Sequence, residues 1–182
     1  MKKLQIITAC SRPQNLNIIK KNIEDIVKIS YDWYIIYDQK TDPVYIESEN
    51  IKLYKNNDPS AFGNGEKSWG LKFKDDYEFV YFLDDDNLLH EDFMEVFNYI
   101  DDTSDIYIFN QKDRMQSGTD KGCTEGRIDT ACFLMRTRII GDLEWHPFDY
   151  GADGRFVGCL QDKNVVKFIP KVFCTYNVLS RY

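Results

Sequence analysis

Three consecutive aspartates, Asp84, Asp85 and Asp86, directly follow the apolar residues 79–83. Carboxylates gathered at the end of a buried strand repel one another, so the arrangement is costly unless a cation lies beside them. Hard divalent ions take oxygen ligands and often share them with substrate phosphates. Strand alternation predicts that the side chains of Asp84 and Asp86 point the same way and that of Asp85 the opposite way. Either Asp84 or Asp86 can then hold a metal ion, while another carboxylate accepts a hydrogen bond from a ribose hydroxyl. The alternative is a solvated acidic turn before a helix.

Two basic residues and a further carboxylate stand at positions suited to related chemistry. Arg12 precedes Pro13, which fixes its loop, and Lys67 lies near a predicted helix, so each is a candidate for offsetting phosphate charge. Asp153 stands before Gly154 at a predicted helix start, where an N-cap aspartate is the ordinary structural explanation. Trp145 is a candidate for stacking on a sugar or for packing in the core.

Apolar periodicity predicts the elements that must position these residues. The predicted strands are 4–8, 33–37, one or two within 44–54, 78–83, 105–109, 130–135, 165–169 and 172–176. The first predicted helix follows Pro13 and covers about 16–28, and the others cover 68–76, about 93–100 and 155–161. Residues 111–127 are predicted to form a loop or hairpin.

The alternation of strand and helix up to about residue 109 predicts an α/β fold. We expect one Rossmann-like domain with a mainly parallel central sheet and flanking helices. In such sheets ligands bind beyond the carboxyl ends of the strands. Residues 8–12, Asp38 and residues 84–87 then lie on one edge of the sheet, which is where we expect the functional site.

Composition excludes several classes of protein. The chain has 182 residues, of which 43% are hydrophobic and 29% charged, as in one globular domain rather than a disordered or collagenous chain. A net charge of −7 argues against nonspecific nucleic-acid binding. No apolar stretch approaches the roughly 20 residues that span a bilayer. The five cysteines lack CxxC spacing, and they predict reduced thiols in a cytoplasmic compartment.

Residues 81–87, YFLDDDN, resemble the DxD segment of the GT-A-fold nucleotide-sugar glycosyltransferases. Both the large family 2 and the glucuronyltransferase group, whose motif is a triple aspartate followed by asparagine, are similar here. Residues 6–13, IITACSRP, resemble the first strand and loop of those enzymes, which lie under the nucleoside and the sugar diphosphate. Residues 65–71 stand where those families place a helix that touches the donor. The order of segments agrees over roughly residues 4–177.

The resemblance implies a single GT-A-like catalytic domain over residues 1–182, with a nucleotide-sugar-binding half at 1–110 and an acceptor and catalytic-base half at 111–182. The residues expected to contact the donor are Thr8, Ser11, Arg12, Asp38, Lys67, Asp84 and Asp85. Asp86, with Asp84, is expected to hold Mn2+ or Mg2+, and His146 to complete the metal shell. Asp153 is expected to act as the general base that deprotonates the acceptor hydroxyl in one inverting displacement.

The resemblance thus implies sugar transfer from a UDP-type or GDP-type donor to a hydroxyl of a glycan, lipid-linked or protein-linked acceptor. Two other functions stay open on the sequence. One is a nucleotidyltransferase or phosphohydrolase with two metal ions, for which Asp38 is the candidate second carboxylate. The other is a divalent-cation-dependent carbohydrate-binding module or a degenerate transferase. The chain is short for this fold, so an excised domain and a minimal enzyme are both open.

Overall fold

A computed structural model describes residues 2–112 and 128–179 of the protein. Its strands are β1 (Lys2–Cys10), β2 (Tyr31–Tyr37), β3 (Ile51–Lys55), β4 (Tyr77–Phe82), β5 (Leu88–Leu89), β6 (Ile106–Lys112), β7 (Phe133–Arg136) and β8 (Val166–Thr175). Its α-helices are α1 (Leu16–Ile26), α2 (Asn64–Gly70) and α3 (Ala152–Gln161). Short 3₁₀ helices cover Pro13–Asn15, Leu71–Asp76, Phe93–Tyr99, Thr130–Cys132 and Thr137–Ile139.

The described strands form one sheet in the order β3-β2-β1-β4-β7-β6-β8-β5. The pairs β3–β2, β2–β1, β1–β4 and β6–β8 are parallel. The antiparallel pairs are β4–β7, β7–β6 and β8–β5. Two reversals in a row return β6 and β8 to the direction of β1, so only β7 and β5 oppose it. The prediction of one α/β domain with a mainly parallel sheet is confirmed.

The sheet separates two apolar cores because successive side chains of a strand point to opposite faces. Ile6, together with Trp33, packs on one face with α1, whose buried residues recur at helical spacing. Ile7, together with Phe82, packs on the other face with α3. The result is a three-layer arrangement in which α2 and α3 lie on the face opposite α1. Among the described residues, no helix is both long and apolar enough to cross a membrane.

Several predicted elements differ in detail from the structure. The two predicted terminal strands are one strand, β8, because a shift of register opposite Phe109 and Asn110 accommodates the exposed Pro170. The segment at 93–100 is a 3₁₀ helix, in which apolar residues three apart, such as Phe93 and Val96, share a buried face. Within 44–54 the regular strand begins only at residue 51. The loop or hairpin predicted at 111–127 has its first two residues in β6, and 113–127 lie outside the described residues.

Candidate functional site

A cavity of about 450 Å³ opens at the carboxyl ends of β1, β2 and β4. Its lining includes the predicted site residues Ser11, Arg12, Asp38, Lys67, Asp84, Asp85, Asp86 and Asp153. These residues meet because β1, β2 and β4 run parallel and end at the same edge of the sheet. Thr8 and His146 are not among the lining residues.

Asp85 ties the loop after β1 to the loop after β4. Its carboxylate accepts hydrogen bonds from the backbone N–H groups of Ser11 and Arg12, each at 2.7 Å, and from the Ser11 hydroxyl at 3.1 Å. The Arg12 guanidinium lies 2.6 Å from the other oxygen. Asp85 is buried, with 3% of its surface exposed. Its carboxylate therefore organises the first loop and is already supplied with donors.

Asp86 shares the guanidinium of Arg12 with Asp85. Arg12 Nη1 lies 2.9 Å from Asp86 Oδ2, and the side-chain amide of Asn177, turned with its nitrogen toward Asp86, also donates at 2.9 Å. Burial, followed by repulsion from Asp84, raises the pKa of Asp86 to about 6. Since one guanidinium nitrogen contacts both Asp85 and Asp86, the predicted alternation of the three carboxylates is wrong. The physical reason is that β4 ends at Phe82, so these residues form a turn to which strand alternation does not apply.

The third aspartate, Asp84, faces a buried lysine. Lys67 Nζ lies 3.7 Å from Asp84 Oδ1 and 3.3 Å from Asp153 Oδ1, and it donates to the Thr130 hydroxyl at 2.9 Å. Burial alone would lower the pKa of Lys67, but Asp84 and Asp153 together raise it above its ordinary value. Burial raises the pKa of Asp84, and Lys67 opposes that shift. The ammonium predicted to meet a phosphate is therefore placed between two carboxylates.

Close packing of α2 on β1 brings this lysine into the cavity. Gly70 lies so near Ile7 that a Cβ atom there would stand 2.7 Å from Ile7 Cγ2. Gly63, at φ +73°, similarly approaches Ala9, with 2.6 Å between the added and existing Cβ atoms. Because glycines stand at both ends of α2, this helix lies directly on β1. Lys67 consequently projects over the carboxyl end of β1.

Asp153 lies in the first turn of α3, whose N-cap is Gly151, so the N-cap explanation for Asp153 is wrong. Its Oδ1 accepts from the indole of Trp145 at 3.0 Å as well as facing Lys67, and its Oδ2 accepts from the Thr130 hydroxyl at 3.3 Å. Trp145 is buried and stacks on Phe156 with 3.5 Å between ring centroids. Trp145 is therefore a core residue that also orients a cavity carboxylate.

Three other predicted residues have different surroundings. Thr8 is buried, donates to the carbonyl of Leu83 at 2.7 Å and accepts from the Trp33 indole at 2.9 Å, so it links strands beneath the cavity. Asp38 lines the cavity while its Oδ1 caps a turn by accepting from the N–H groups of residues 40 and 41. His146 is exposed, and its backbone carbonyl accepts from Asn64 at 2.9 Å. His146 is not among the residues that line the cavity, and its place in the metal shell stays a prediction.

Three residues of the site, Thr130, Asn177 and Asp129, were not predicted from the sequence. Asn177 and Asp129 line the cavity, and Thr130 bonds to Asp84 at 3.3 Å as well as to Asp153. None of the three stands in a motif, and each reaches the site through the order of strands in the sheet. Only the tertiary structure could therefore reveal them.

The fold is shared with solved structures whose sequences are very different. Residues 1–349 of TarS from S. aureus in complex with UDP match with a TM-score of 0.72 at 15% identity, covering 95% of this chain and 60% of that chain. The mannosyltransferase PcManGT from Pyrobaculum calidifontis, in complex with GDP-Man and Mn2+, gives 0.71 at 10% identity, covering 99% and 58%. The chain has a GT-A-like fold.

A third match is the same TarS segment in complex with UDP-GlcNAc, with a TM-score of 0.70 at 13% identity. This chain spans about three fifths of the length of these solved chains. No protein-family profile matches the sequence, and no curated protein matches it significantly.

The oxygen ligands that the aspartates offer in the cavity are of the kind that binds a divalent cation. Asp84 and Asp86 offer carboxylate oxygens, which Mg2+ and Mn2+ prefer. The raised pKa values of both groups indicate that further positive charge beside them would be favourable. Within residues 2–112 and 128–179, however, no three His, Cys, Asp or Glu side chains are already arranged as a metal site. Among the residues that the structure describes, Arg12 and Lys67 are the cations that contact the three aspartates.

Proposed function

We propose that this chain transfers a sugar from a nucleoside-diphosphate sugar to an acceptor hydroxyl, with Mn2+ or Mg2+ as cofactor and inversion at the anomeric carbon. The observation that carries the proposal is the convergence of Asp84 and Asp86 with Asp153, from the other half of the chain, in one cavity at the strand ends. The ligands named for proteins of similar fold, UDP, UDP-GlcNAc and GDP-Man, support a nucleotide-sugar donor.

Asp153 is the proposed general base. Its Oδ1 is engaged by Lys67 and the Trp145 indole, whereas Oδ2 meets the hydroxyl of Thr130. That hydroxyl has one proton and also faces Asp84, so donating to Asp84 releases Oδ2. Asp153 Oδ2 then takes the proton of the acceptor hydroxyl. As it does so, the oxygen of the acceptor hydroxyl bonds to the anomeric carbon, and the bond from that carbon to the diphosphate breaks.

Asp86 and Asp84 are the proposed metal ligands. A bound divalent cation would offset the charge that develops on the departing nucleoside diphosphate. Arg12 borders the same cavity, and 41% of its side chain is exposed, so its guanidinium is the proposed additional contact for the diphosphate. Asp38, at the end of β2, is the proposed contact for the base or ribose. Lys67 stays a candidate diphosphate contact only if a bound donor draws it away from its two carboxylates.

The free cysteines support a reducing environment. Cys10, Cys132, Cys159 and Cys174 form no disulfide among the described residues. Because the five cysteines also lack CxxC spacing in the sequence, we extend the proposal to a cytoplasmic location.

Calorimetric titration of UDP and GDP, with and without Mn2+, tests the proposal. We expect at least one nucleotide to bind and its affinity to fall at least tenfold in EDTA. Asp86→Asn should produce a similar loss, whereas Asp102→Asn, at an exposed acidic position, should not. A panel of nucleotide sugars then reports metal-dependent release of the nucleoside diphosphate, and NMR of the sugar product reports the anomer formed.

Each outcome separates the candidate functions. Failure of both nucleotides to bind in the presence of Mn2+ would contradict a transferase, and sugar binding without nucleotide would favour the carbohydrate-binding module. Release of inorganic phosphate or pyrophosphate instead of a nucleoside diphosphate would favour the phosphohydrolase or nucleotidyltransferase. Retention of the anomeric configuration would contradict the role of Asp153 as the base of a single displacement.

A further inference from the structure

Two exposed aromatic side chains form a pair at the mouth of the cavity. Phe62 and Tyr150 both line it, with ring centroids 5.3 Å apart and ring planes at 79°. Phe62 is 59% exposed and Tyr150 82% exposed. A pair that only stapled two loops together would bury most of its apolar surface, whereas this one presents it to solvent. The pair therefore has contact area available for a ligand.

The backbone at Phe62 is held in an unfavourable conformation. Two non-glycine residues in the described part of the chain have positive φ, Phe62 at 59° and Asn177 at 50°, and both line the cavity. Asparagine tolerates this region, but a bulky aromatic residue there is an outlier. Such strain persists where the surroundings impose it, and it clusters at ligand-binding sites.

Hydrogen bonds between the two loops impose the conformation of Phe62. The N–H of Ala61 donates to the carbonyl of Pro147 at 2.8 Å. The side-chain amide of Asn64 donates to the carbonyls of His146 at 2.9 Å and Asp149 at 2.8 Å. These bonds join Ala61 and the first residue of α2 to the segment before α3. The ring of Phe62 is consequently fixed beside that of Tyr150, three positions before Asp153 in the chain.

We propose that Phe62 and Tyr150 form a stacking platform for a saccharide acceptor, an inference that rests on the proposed function. The platform needs a ligand with an apolar face and a hydroxylated rim. The electron-rich faces of aromatic rings attract the C–H groups of a pyranose face. The carboxylates deeper in the cavity, Asp153 among them, accept hydrogen bonds from hydroxyls. Of the glycan, lipid-linked and protein-linked acceptors, the geometry thus favours one whose accepting unit is a sugar ring.

A nucleobase is the competing ligand for an aromatic surface. A base stacks best on a parallel ring or in a slot between two rings, but these rings meet nearly at right angles and form a corner. Tyr150 also belongs to the loop that leads into α3, the helix of the proposed base, rather than to the strand ends that carry Ser11 and Asp38. The corner is therefore assigned to the acceptor and not to the donor nucleotide.

The test measures the binding of simple glycosides by saturation-transfer NMR. The probes are methyl β-D-glucopyranoside, methyl β-D-galactopyranoside, methyl α-D-mannopyranoside and methyl N-acetyl-β-D-glucosaminide. Each probe is added to protein that is loaded with Mg2+ and free of Mn2+, with UDP or GDP present. We expect at least one to bind, with the C–H protons of one ring face receiving most of the transferred saturation. Phe62→Gly and Tyr150→Ala should each weaken that binding at least fivefold, and Tyr150→Phe should restore it.

The chain offers controls of matched exposure. Phe148 is 59% exposed and Tyr45 is 80% exposed, and neither lines the cavity, so Phe148→Ala and Tyr45→Ala should leave glycoside binding unchanged. Phe62→Gly provides a second readout because glycine relieves the positive φ. We expect its melting temperature to equal or exceed that of the wild type while glycoside binding falls. A purely structural role of the ring would instead lower the melting temperature.

The outcomes distinguish this inference from the proposed function. Nucleotide binding with no glycoside bound would overturn the platform and leave the transferase proposal standing. A weaker affinity for UDP or GDP in Phe62→Gly or Tyr150→Ala, with glycoside binding intact, would show a base-stacking surface and overturn the inference. Glycoside binding that requires both rings, in a protein that binds neither UDP nor GDP, would support the platform and contradict the transferase. Binding of neither class of ligand would overturn both.

Discussion

The buried cation of the cavity offers the most direct test of the site's energetics. Lys67→Met removes the ammonium but keeps an unbranched side chain. The ammonium lies 3.3 Å from Asp153, 3.7 Å from Asp84 and 2.9 Å from the Thr130 hydroxyl, and only 5% of the lysine side chain is exposed. The substitution therefore leaves two carboxylates close together with no intervening positive charge.

We expect Lys67→Met to lower the free energy of unfolding by about 3 kcal/mol. Breaking a buried ion pair costs roughly 3–5 kcal/mol because the remaining charge is left without compensation. The lower end applies because Asp84 and Asp153 keep 28% and 21% of their side-chain surface exposed, so water screens them in part. The measurement is urea-induced unfolding near pH 7 in EDTA, so that no divalent ion substitutes for the lysine.

The matched control is Lys21→Met, since Lys21 is 76% exposed and pairs with Asp25 one helical turn away. We expect no measurable change there because solvent screens exposed ion pairs. The double variant Lys67→Met/Asp153→Asn should lose less stability than the sum of its two single changes, because removing one carboxylate relieves the repulsion. An unfolding free energy of Lys67→Met within error of the wild type, or strict additivity in the double variant, would refute this account of the buried charges.

Three further outcomes follow from particular contacts. Thr8→Val should lower the free energy of unfolding by about 2 kcal/mol, since it leaves a buried carbonyl and the Trp33 indole without partners; a neutral result in urea titration would contradict this. Asp153→Asn should slow sugar transfer by about 10²–10⁴-fold while the Kd of the nucleotide stays within twofold, and equal losses in both would argue against a general base. Burial, together with the charge of Asp85, raises the pKa of Cys10 to about 12. Cys10 in the folded protein should therefore resist a thiol reagent at pH 8, whereas the exposed Cys159 should react. Mass spectrometry of the labelled peptides measures both.

Sequence patterns were most informative where a strand ends abruptly. The run of apolar residues before Asp84 predicted β4, and the acidic residues at its end predicted the position of the cavity. Asp38 joined them by the same reasoning, since parallel strands end on one edge of a sheet. These predictions held because the limits of each strand follow local apolar periodicity, and because the alternation of strand with helix makes neighbouring strands parallel. A single sequence displays both patterns.

Predictions failed where the outcome depended on contacts between distant segments. Alternation could not assign the partners of Asp85 and Asp86, because Arg12 reaches both from the end of a different strand. Two strands were predicted at 165–169 and 172–176, but a register shift of β6 against this segment lets it continue as one strand, β8. In each case the deciding interaction joins residues whose separation in the sequence carries no pattern.

The sequence alone determined the α/β class, the acidic edge of the sheet and the candidate carboxylates, because apolar periodicity and motif order are local properties. Only the tertiary structure decided that Lys67 lies between Asp84 and Asp153, and that the strained Phe62 meets Tyr150 at the cavity mouth. The physical reason is that a buried charge or ring takes its partners from whichever segments the order of strands brings together. That order is set by the packing of the whole sheet, and no single segment of the chain encodes it.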